Sequence, residues 1–383
     1  MDAPKVSVLI PLYNRKHYIE QCVDSVLNQT FQDFELIIRD DGSTDESADF
    51  VAERYAKQIA AGKIKLRRNE KNLGEFPTDN RLLREATGEY VMILHSDDVW
   101  LPHALEQMYT AAEKYKADVV HSQTHFVTDT DGIIAEGTKL KIEHNKQLNC
   151  TYSDLHADKT ELVPNDLELR FNEWLDGSTF IDAQYNIFNR KFLADNDIWF
   201  LEYGEGILSG NRFFTLNWIL KAKVFVKTLD PFCIRRDSED SLSNAKVPPE
   251  RVTKFIDVTI KLSRNLEEYF AREEFFRDNK ERQYLARSSF LTKLDQWRIK
   301  RNNVYKKGIT PELNQAVEEA FKKHFGADYA FLTFLFHWAH VLQVKRPVDK
   351  LIPAEKPVPI EQTVPPPKNE PLDLIELFDI KMD

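Results

Sequence analysis

Glycine is scarce: the chain has 12 in 383 residues. None lies in Pro11-Leu12-Tyr13-Asn14-Arg15, the segment leaving the first predicted strand. That absence argues against the glycine-rich phosphate loop of nucleotidyltransferases and against the G-x-G-x-x-G turn of dinucleotide-binding enzymes. Cysteine is scarcer still, with only Cys22, Cys150 and Cys233. An odd, scattered set builds neither a disulfide framework nor a zinc cluster, and it fits a reducing compartment such as the cytosol. Basic residues are outnumbered: 52 Lys and Arg face 62 Asp and Glu, for a net charge of −10. A dedicated nucleic-acid binder normally carries the opposite balance. No apolar run reaches the roughly 18–20 residues of a membrane-spanning helix. The opening MDAPKVSVLI has no charged region followed by an apolar core, so no signal peptide is expected.

What is present reads as a globular chain long enough for two domains. Val6, Val8 and Ile10 predict a buried strand, and Tyr18, Ile19, Cys22, Val23, Val26 and Leu27 share one helical face. Strands follow at 34–39, 63–67, 90–94 and 118–122. Helices are expected at 45–60 and 79–86, and another begins at Pro102. This alternation predicts a mostly parallel sheet with helices on both faces, whose ligands lie at the carboxyl ends of the strands. Beyond Ser122 the rhythm breaks. Residues 128–132 read as a turn, 140–175 give no clear pattern, 179–189 reads as a strand, 211–221 as a helix and 223–228 as a strand.

Three segments at strand ends carry the chemistry: Pro11-Leu12-Tyr13-Asn14, Asp40-Asp41-Gly42-Ser43-Thr44-Asp45 and His95-Ser96-Asp97-Asp98. Carboxylates around one crevice repel a nucleoside diphosphate unless a hard cation lies between them. Mg²⁺ or Mn²⁺, which take oxygen ligands, would bridge the two. The bland alternative is that these residues cap helices and line a solvated loop. Asp45 is assigned to capping.

In order along the chain, VSVLIPLYNRKHYIEQCVDSVLNQTFQDFELIIRDDGSTDES, NEKNLG and ATGEYVMILHSDD closely resemble the donor half of family 2 glycosyltransferases. The resemblance covers residues 5–122 and fades after about 125. It implies the GT-A fold and a nucleoside-diphosphate sugar as donor. By the same resemblance Pro11, Tyr13 and Asp41 would contact the nucleoside, Asp41 at the base. Asp97 would lie near the ribose, and Asp98 would ligate the metal. There are departures. His95 replaces a frequent Asp, and Asp79-Asn80 replaces a frequent Arg-Asn. Gly210-Asn211 stands where a Glu-Asp usually supplies the general base, and Ser238 where a metal-binding His is often found. Arg235 and Arg236 are the candidates to clamp the diphosphate instead. Glu205, with Glu202 as second choice, is the candidate base for an inverting transfer.

The expected architecture is therefore α/β of GT-A type: a Rossmann-like mixed sheet flanked by helices, with a C-terminal helical region and an extended tail. The domain would span 1–245, divided into a donor half, 1–125, and an acceptor half, 126–245. A helical region would follow at 246–346, then a Pro-rich linker and short terminal helix at 347–383. Phe331, Phe334, Leu335, Trp338 and Leu342 form an aromatic stripe with two open readings: helical core, or a surface helix at a membrane. The terminal stripe of Leu374, Ile375, Phe378 and Met382 reads as a docking helix for a partner or a second copy. The expected function is metal-dependent glycosyl transfer to a glycan or lipid-linked acceptor in surface polysaccharide or glycoconjugate synthesis. No nucleic acid partner is expected, and the expected place is the cytoplasm or the inner membrane face. The rivals are a family member that binds without turnover and a nucleotidyltransferase.

Overall fold

The computed structural model describes residues 3–130, 132–135, 138–144, 160–202, 209–237, 266–287, 289–290 and 319. The elements of the first compact unit, in chain order, are β1 (Val6–Leu12), α1 (Ile19–Leu27), β2 (Phe34–Asp40), α2 (Ser47–Arg54), α3 (Ala56–Ala60), β3 (Ile64–Arg68), α4 (Glu75–Glu85) and β4 (Tyr90–Ile93). Next come β5 (Val99–Trp100), α5 (Ala104–Tyr115), β6 (Val119–Ser122), β7 (Thr124–Thr128), β8 (Lys141–His144), β9 (Thr160–Val163) and α6 (Leu167–Asp176). The unit closes with β10 (Asn186–Asn189), α7 (Arg190–Asp195), α8 (Ser209–Lys221), β11 (Phe225–Thr228) and β12 (Cys233–Arg236).

Eight strands form the main sheet in the order β3-β2-β1-β4-β10-β6-β11-β9. The first four are parallel, as expected; β10 and β9 run antiparallel to their neighbours, so the sheet is mixed. All seven residues of β2 are buried. Leu36, Ile37 and Ile38 form the unbroken apolar run of a strand covered on both faces, while Glu35, Arg39 and Asp40 are buried with hydrogen-bond partners. Val23 and Val26 of α1, Val51 of α2 and Leu105 and Met108 of α5 pack with Val8, Ile10, Leu36, Ile38 and Met92 in one buried cluster. Each such aliphatic side chain withdrawn from water contributes roughly 1.5–3 kcal/mol. A second sheet, β5-β12-β7-β8, surrounds a smaller cluster built on Phe126, Ile134, Leu140 and Ile234.

Several predicted elements are corrected. The helix expected over 45–60 breaks at Tyr55 into α2 and α3. α4 begins at Glu75 rather than 79, because Pro77 falls in its first turn, where a missing N–H costs no hydrogen bond. Only Asn186–Asn189 of the predicted 179–189 strand pairs with neighbours; Asp182 caps a short 3-10 turn over Ala183–Tyr185 instead. In the second compact unit, the described residues are helical at 266–272, Glu274–Arg277 and 280–287. The aromatic stripe at 331–342 and the tail from 347 lie outside the described residues. Among the described residues no helix is long and apolar enough to cross a membrane.

Candidate active site

The crevice opens where the strand order reverses around β1. β1 pairs with β4 only from Val6 to Leu9, but with β2 as far as Leu12↔Asp40. Pro11 lies past the point where β4 has peeled away, so its missing N–H breaks no ladder bond on that side. The chain ends freed there carry Tyr13, Asp41 and the His95–Asp98 loop, at the position where open α/β sheets bind ligands. Tyr13 is 42% exposed, leaving its ring open to stack on a base.

Asp41 is 3% exposed and already has a structural duty. Its Oδ1 accepts from Asn69 Nδ2 at 2.8 Å and the Leu73 amide at 2.9 Å, and its Oδ2 accepts from the Gly74 amide at 2.8 Å. Asn69 is oriented by Arg39 Nη1 and Arg81 Nη1, both donating to its Oδ1, so its NH₂ faces Asp41. With two bonds on Oδ1 and one on Oδ2, a carboxylate retains room for a further donor on Oδ2, such as a base N–H. Gly42 makes the turn possible: its φ is +74°, and a Cβ there would lie 2.8 Å from the Asn72 backbone nitrogen. Asp45 receives the Ser47 and Lys16 amides, each at 3.0 Å, and so pins the turn before α2 to the Lys16 segment, while the N-cap position itself is taken by Glu46 without a side-chain cap bond.

Asp97 and Asp98 are adjacent in sequence and differ in setting. Asp97 has a side chain 19% exposed and an ion pair with Arg15 at 3.1 Å. Asp98 is 2% exposed, and its Oδ1 accepts the Arg236 amide at 2.8 Å. Burial, reinforced by the Asp97 charge, pushes the Asp98 carboxyl up to about 7, against the opposing effects of His95, the Arg236 amide and Gln184. A buried, poorly neutralised carboxylate facing a crevice suits a cation. Among the described residues no three His, Cys, Asp or Glu side chains converge as a cage.

His95 belongs to the same turn, its carbonyl accepting the Asp98 amide at 3.0 Å, and its Nε2 lies 3.6 Å from Asp182 Oδ1 and 3.9 Å from Glu75 Oε1. Burial works against its charge, but Asp182, Glu75, Asp98 and Asp97 outweigh it and raise the imidazole to about 9. Asp79 of α4 is 2% exposed and pushed well up by burial and by Glu75.

The two arginines expected at the diphosphate are placed differently. Arg236 is 3% exposed, and all three of its guanidinium nitrogens are engaged: Nε to the Asp97 carbonyl at 2.7 Å, Nη1 to the Thr130 and Gly132 carbonyls, and Nη2 to Gln21 Oε1. It ties the second sheet to α1 and has no fork to offer a diphosphate, which corrects the clamp expectation for this residue. Arg235 pairs with Glu143 at 2.9 Å, and Glu143 also holds His125 at 3.1 Å. Its Nε is buried without a partner, so it retains a donor. Glu202, the second-choice base, receives Asn80 Nδ2 at 3.0 Å and lies near Arg84 at 3.3 Å, committed to holding α4. Glu205 and Ser238 lie outside the described residues.

At the start of α8 the departure from the family pattern has a packing counterpart. A Cβ on Gly210 would lie 2.2 Å from the Phe76 ring. Phe76 stacks on Phe200 at 5.4 Å, and Phe200 on Phe214 at 4.0 Å. Aromatic rings fill the space beside Gly210, where the pattern otherwise brings a carboxylate. Asp182 and Gln184 were not singled out from sequence, because they sit in a segment that reads as plain strand.

Comparison with known proteins bears on the fold and the family. The profile described as Glycosyl transferase family 2 matches residues 7–193. UDP-Glc:alpha-D-GlcNAc-diphosphoundecaprenol beta-1,3-glucosyltransferase WfgD of Escherichia coli is 31% identical over 220 residues, which cover 56% of this chain and 83% of WfgD. Glycosyltransferase GlyG of Streptococcus pneumoniae is 32% identical over 127 residues, 33% of this chain; the match spans only 41% of GlyG's length. Residues 1–349 of S. aureus TarS, solved with UDP-GlcNAc, share the fold: the TM-score is 0.55 at 20% identity, covering 88% of this chain and 87% of that one. The mixed α/β sheet is thus of GT-A type, and the chain belongs to glycosyl transferase family 2.

Proposed function

We propose that the chain transfers a sugar from a nucleoside-diphosphate sugar to a hydroxyl of a glycan or lipid-linked acceptor, with inversion at the anomeric carbon. What supports this reading is that the chain ends carrying Tyr13, Asp41 and Asp97 adjoin: the Asp41 amide donates to the Leu12 carbonyl at 2.8 Å, the Asn14 amide to Ser43 Oγ at 2.9 Å, and Arg15 pairs with Asp97 at 3.1 Å. Tyr13 and the remaining acceptor capacity of Asp41 hold the base, and Asp97 lies toward the ribose. Asp98 would hold a Mn²⁺ or Mg²⁺ ion. Such a cation, when bound, offsets the charge of the diphosphate and stabilises it as a leaving group. Arg235 is the guanidinium with a donor to give the diphosphate.

The name of WfgD specifies UDP-glucose and a diphosphoundecaprenol-linked acceptor. A uridine donor and a lipid-linked acceptor are accordingly the first choices for this chain. A lipid-linked acceptor would bring the protein to the inner face of the cytoplasmic membrane, in surface polysaccharide or glycoconjugate synthesis. The test is a nucleotide-sugar panel read by thermal shift with and without Mn²⁺. A ligand bound by the native state alone raises apparent stability by about 2.7 kcal/mol at a hundred times its Kd. A shift with UDP-sugars that grows with Mn²⁺ supports the reading. No shift with any member of the panel defeats it. A shift without sugar transfer favours the second reading, a binder that does not turn over, which the Gly210-Asn211 departure motivates.

A further inference from the structure

The start of α8 brings no carboxylate to the site, whereas the elements around His95 bring three. Glu75 and Asp79 come from α4, and Asp182 comes from the loop before β10. His95 lies between Asp182 and Glu75. Asp79 is 2% exposed, and its Oδ1 has no hydrogen-bond partner. Gln184, two residues beyond Asp182, is fully buried and its Oε1 is likewise unpartnered. Orphaned buried acceptors are uncommon in native proteins and call for a ligand or a role.

The three carboxylates are not equivalent. Asp79 is too enclosed to meet an incoming acceptor. Glu75 stands on α4, in the donor half. Asp182 is 28% exposed and held in place: its Oδ1 accepts the Gln184 amide at 3.2 Å and lies 3.6 Å from His95. It is within electrostatic range of Asp79, His95, His125, Tyr185 and Cys233, so it stands where the two sheets meet.

We propose that Asp182 is the base that takes the proton from the acceptor hydroxyl, a role that rests on the glycosyl-transfer reading above. The acceptor O–H bond breaks as its proton passes to Asp182. The oxygen's electron pair forms the new bond to the anomeric carbon. The bond from that carbon to the diphosphate oxygen breaks, and its pair leaves with the nucleoside diphosphate. Asp182 then returns the proton to solvent, and no further reactant is needed. His95 is a positioning residue that keeps the carboxylate turned toward the crevice.

The test uses the full chain with MnCl₂ and either UDP-glucose or UDP-N-acetylglucosamine. Water serves as acceptor, UDP release is followed, and UDP affinity is measured alongside. Asp182→Asn keeps the cap on Gln184 and should leave UDP affinity unchanged while slowing UDP release about a hundredfold or more. Asp182→Ala should be slow in plain buffer and recover when formate is added, a rescue that a structural defect does not show. Asp182→Glu should retain more activity than Asp182→Asn. An Asp182→Asn protein that releases UDP at the wild-type rate overturns the proposal. So does a wild-type chain that binds UDP yet releases it from neither donor, since a base in place would serve water as well. A wild-type chain that binds no UDP brings down the donor-site reading, and the proposal with it.

Discussion

Two buried carboxylates beyond the ends of the strands that flank β1, Asp41 after β2 and Asp98 after β4, are set apart by what already holds them. Asp98 has the Arg236 amide and the Asp97 charge as neighbours. Asp98→Ala should abolish the dependence of UDP binding on Mn²⁺, read by calorimetry, and an unchanged metal effect would remove Asp98 from the site. Asp41 has three protein donors on it. Hydrogen bonds to a charged group contribute roughly 1.5–3 kcal/mol each. Asp41→Ala should therefore weaken UDP binding roughly ten- to a hundredfold with or without metal. It should also lower the unfolding midpoint, because it releases residues 69–74; a loss confined to the Mn²⁺-containing sample would make Asp41 a metal group. The strand-end motifs that carry these residues were legible in sequence. The fate of Arg236 was not, because its partners come from Gln21, Asp97 and the 130–132 turn, which only the folded chain brings together.

At the level of elements, β1 and β4 could be read because buried parallel strands carry apolar runs between turn residues, and β3 because Ile64 and Leu66 alternate with polar residues. α6 escaped although its signals were present. Asp166 accepts the Glu168 and Leu169 amides at its start, and Gly177 ends it at φ 83°; the polar surroundings at 140–175 hid them. β5 and β12 escaped because strands of two and four residues carry too little periodicity to be seen. Gly210→Ala forces a methyl into the Phe76 ring. It should destabilise by roughly 1–3 kcal/mol, the usual cost of overpacking; an unchanged urea midpoint would show that Phe76 yields freely. Glu35 offers a pH test on β2. Burial raises its pKa, but hydrogen bonds from Lys65 at 2.5 Å, Ser7 at 2.6 Å and the Thr87 amide at 2.7 Å outweigh that and hold it below the ordinary range. A lowered folded value means the stabilisation is complete above the unfolded range, roughly pH 4–5, and is lost as pH falls through the folded value. Glu35→Gln should thus be less stable than wild type at pH 7, with the gap closing in acid; a constant gap would assign the loss to packing alone.

Within the first compact unit, a buried cation ties the second sheet to α1, to the Asp97 loop and to the 130–132 turn. Arg236 leaves β12 in the second sheet and ends on Gln21 of α1, which itself exchanges hydrogen bonds with the Ile134 backbone at 2.6 and 3.0 Å. A cysteine lies on each side of that junction: Cys22 in α1 and Cys233 in β12, both fully buried and both pushed well up by burial. A thiol so placed meets a reagent only when the chain opens around it, and then reacts as any free thiol does. The pair is therefore a built-in clock for separation of β12 from α1. In a Cys150→Ser background, the two thiols should react slowly with a disulfide reagent. They should react faster together in Arg236→Met, and more slowly still with UDP and Mn²⁺ bound. Two unrelated rates would mean that α1 and β12 part from the core independently. A shared rate that tracks the nucleotide would show that the donor site is closed by the same joint that keeps oxidants from its cysteines.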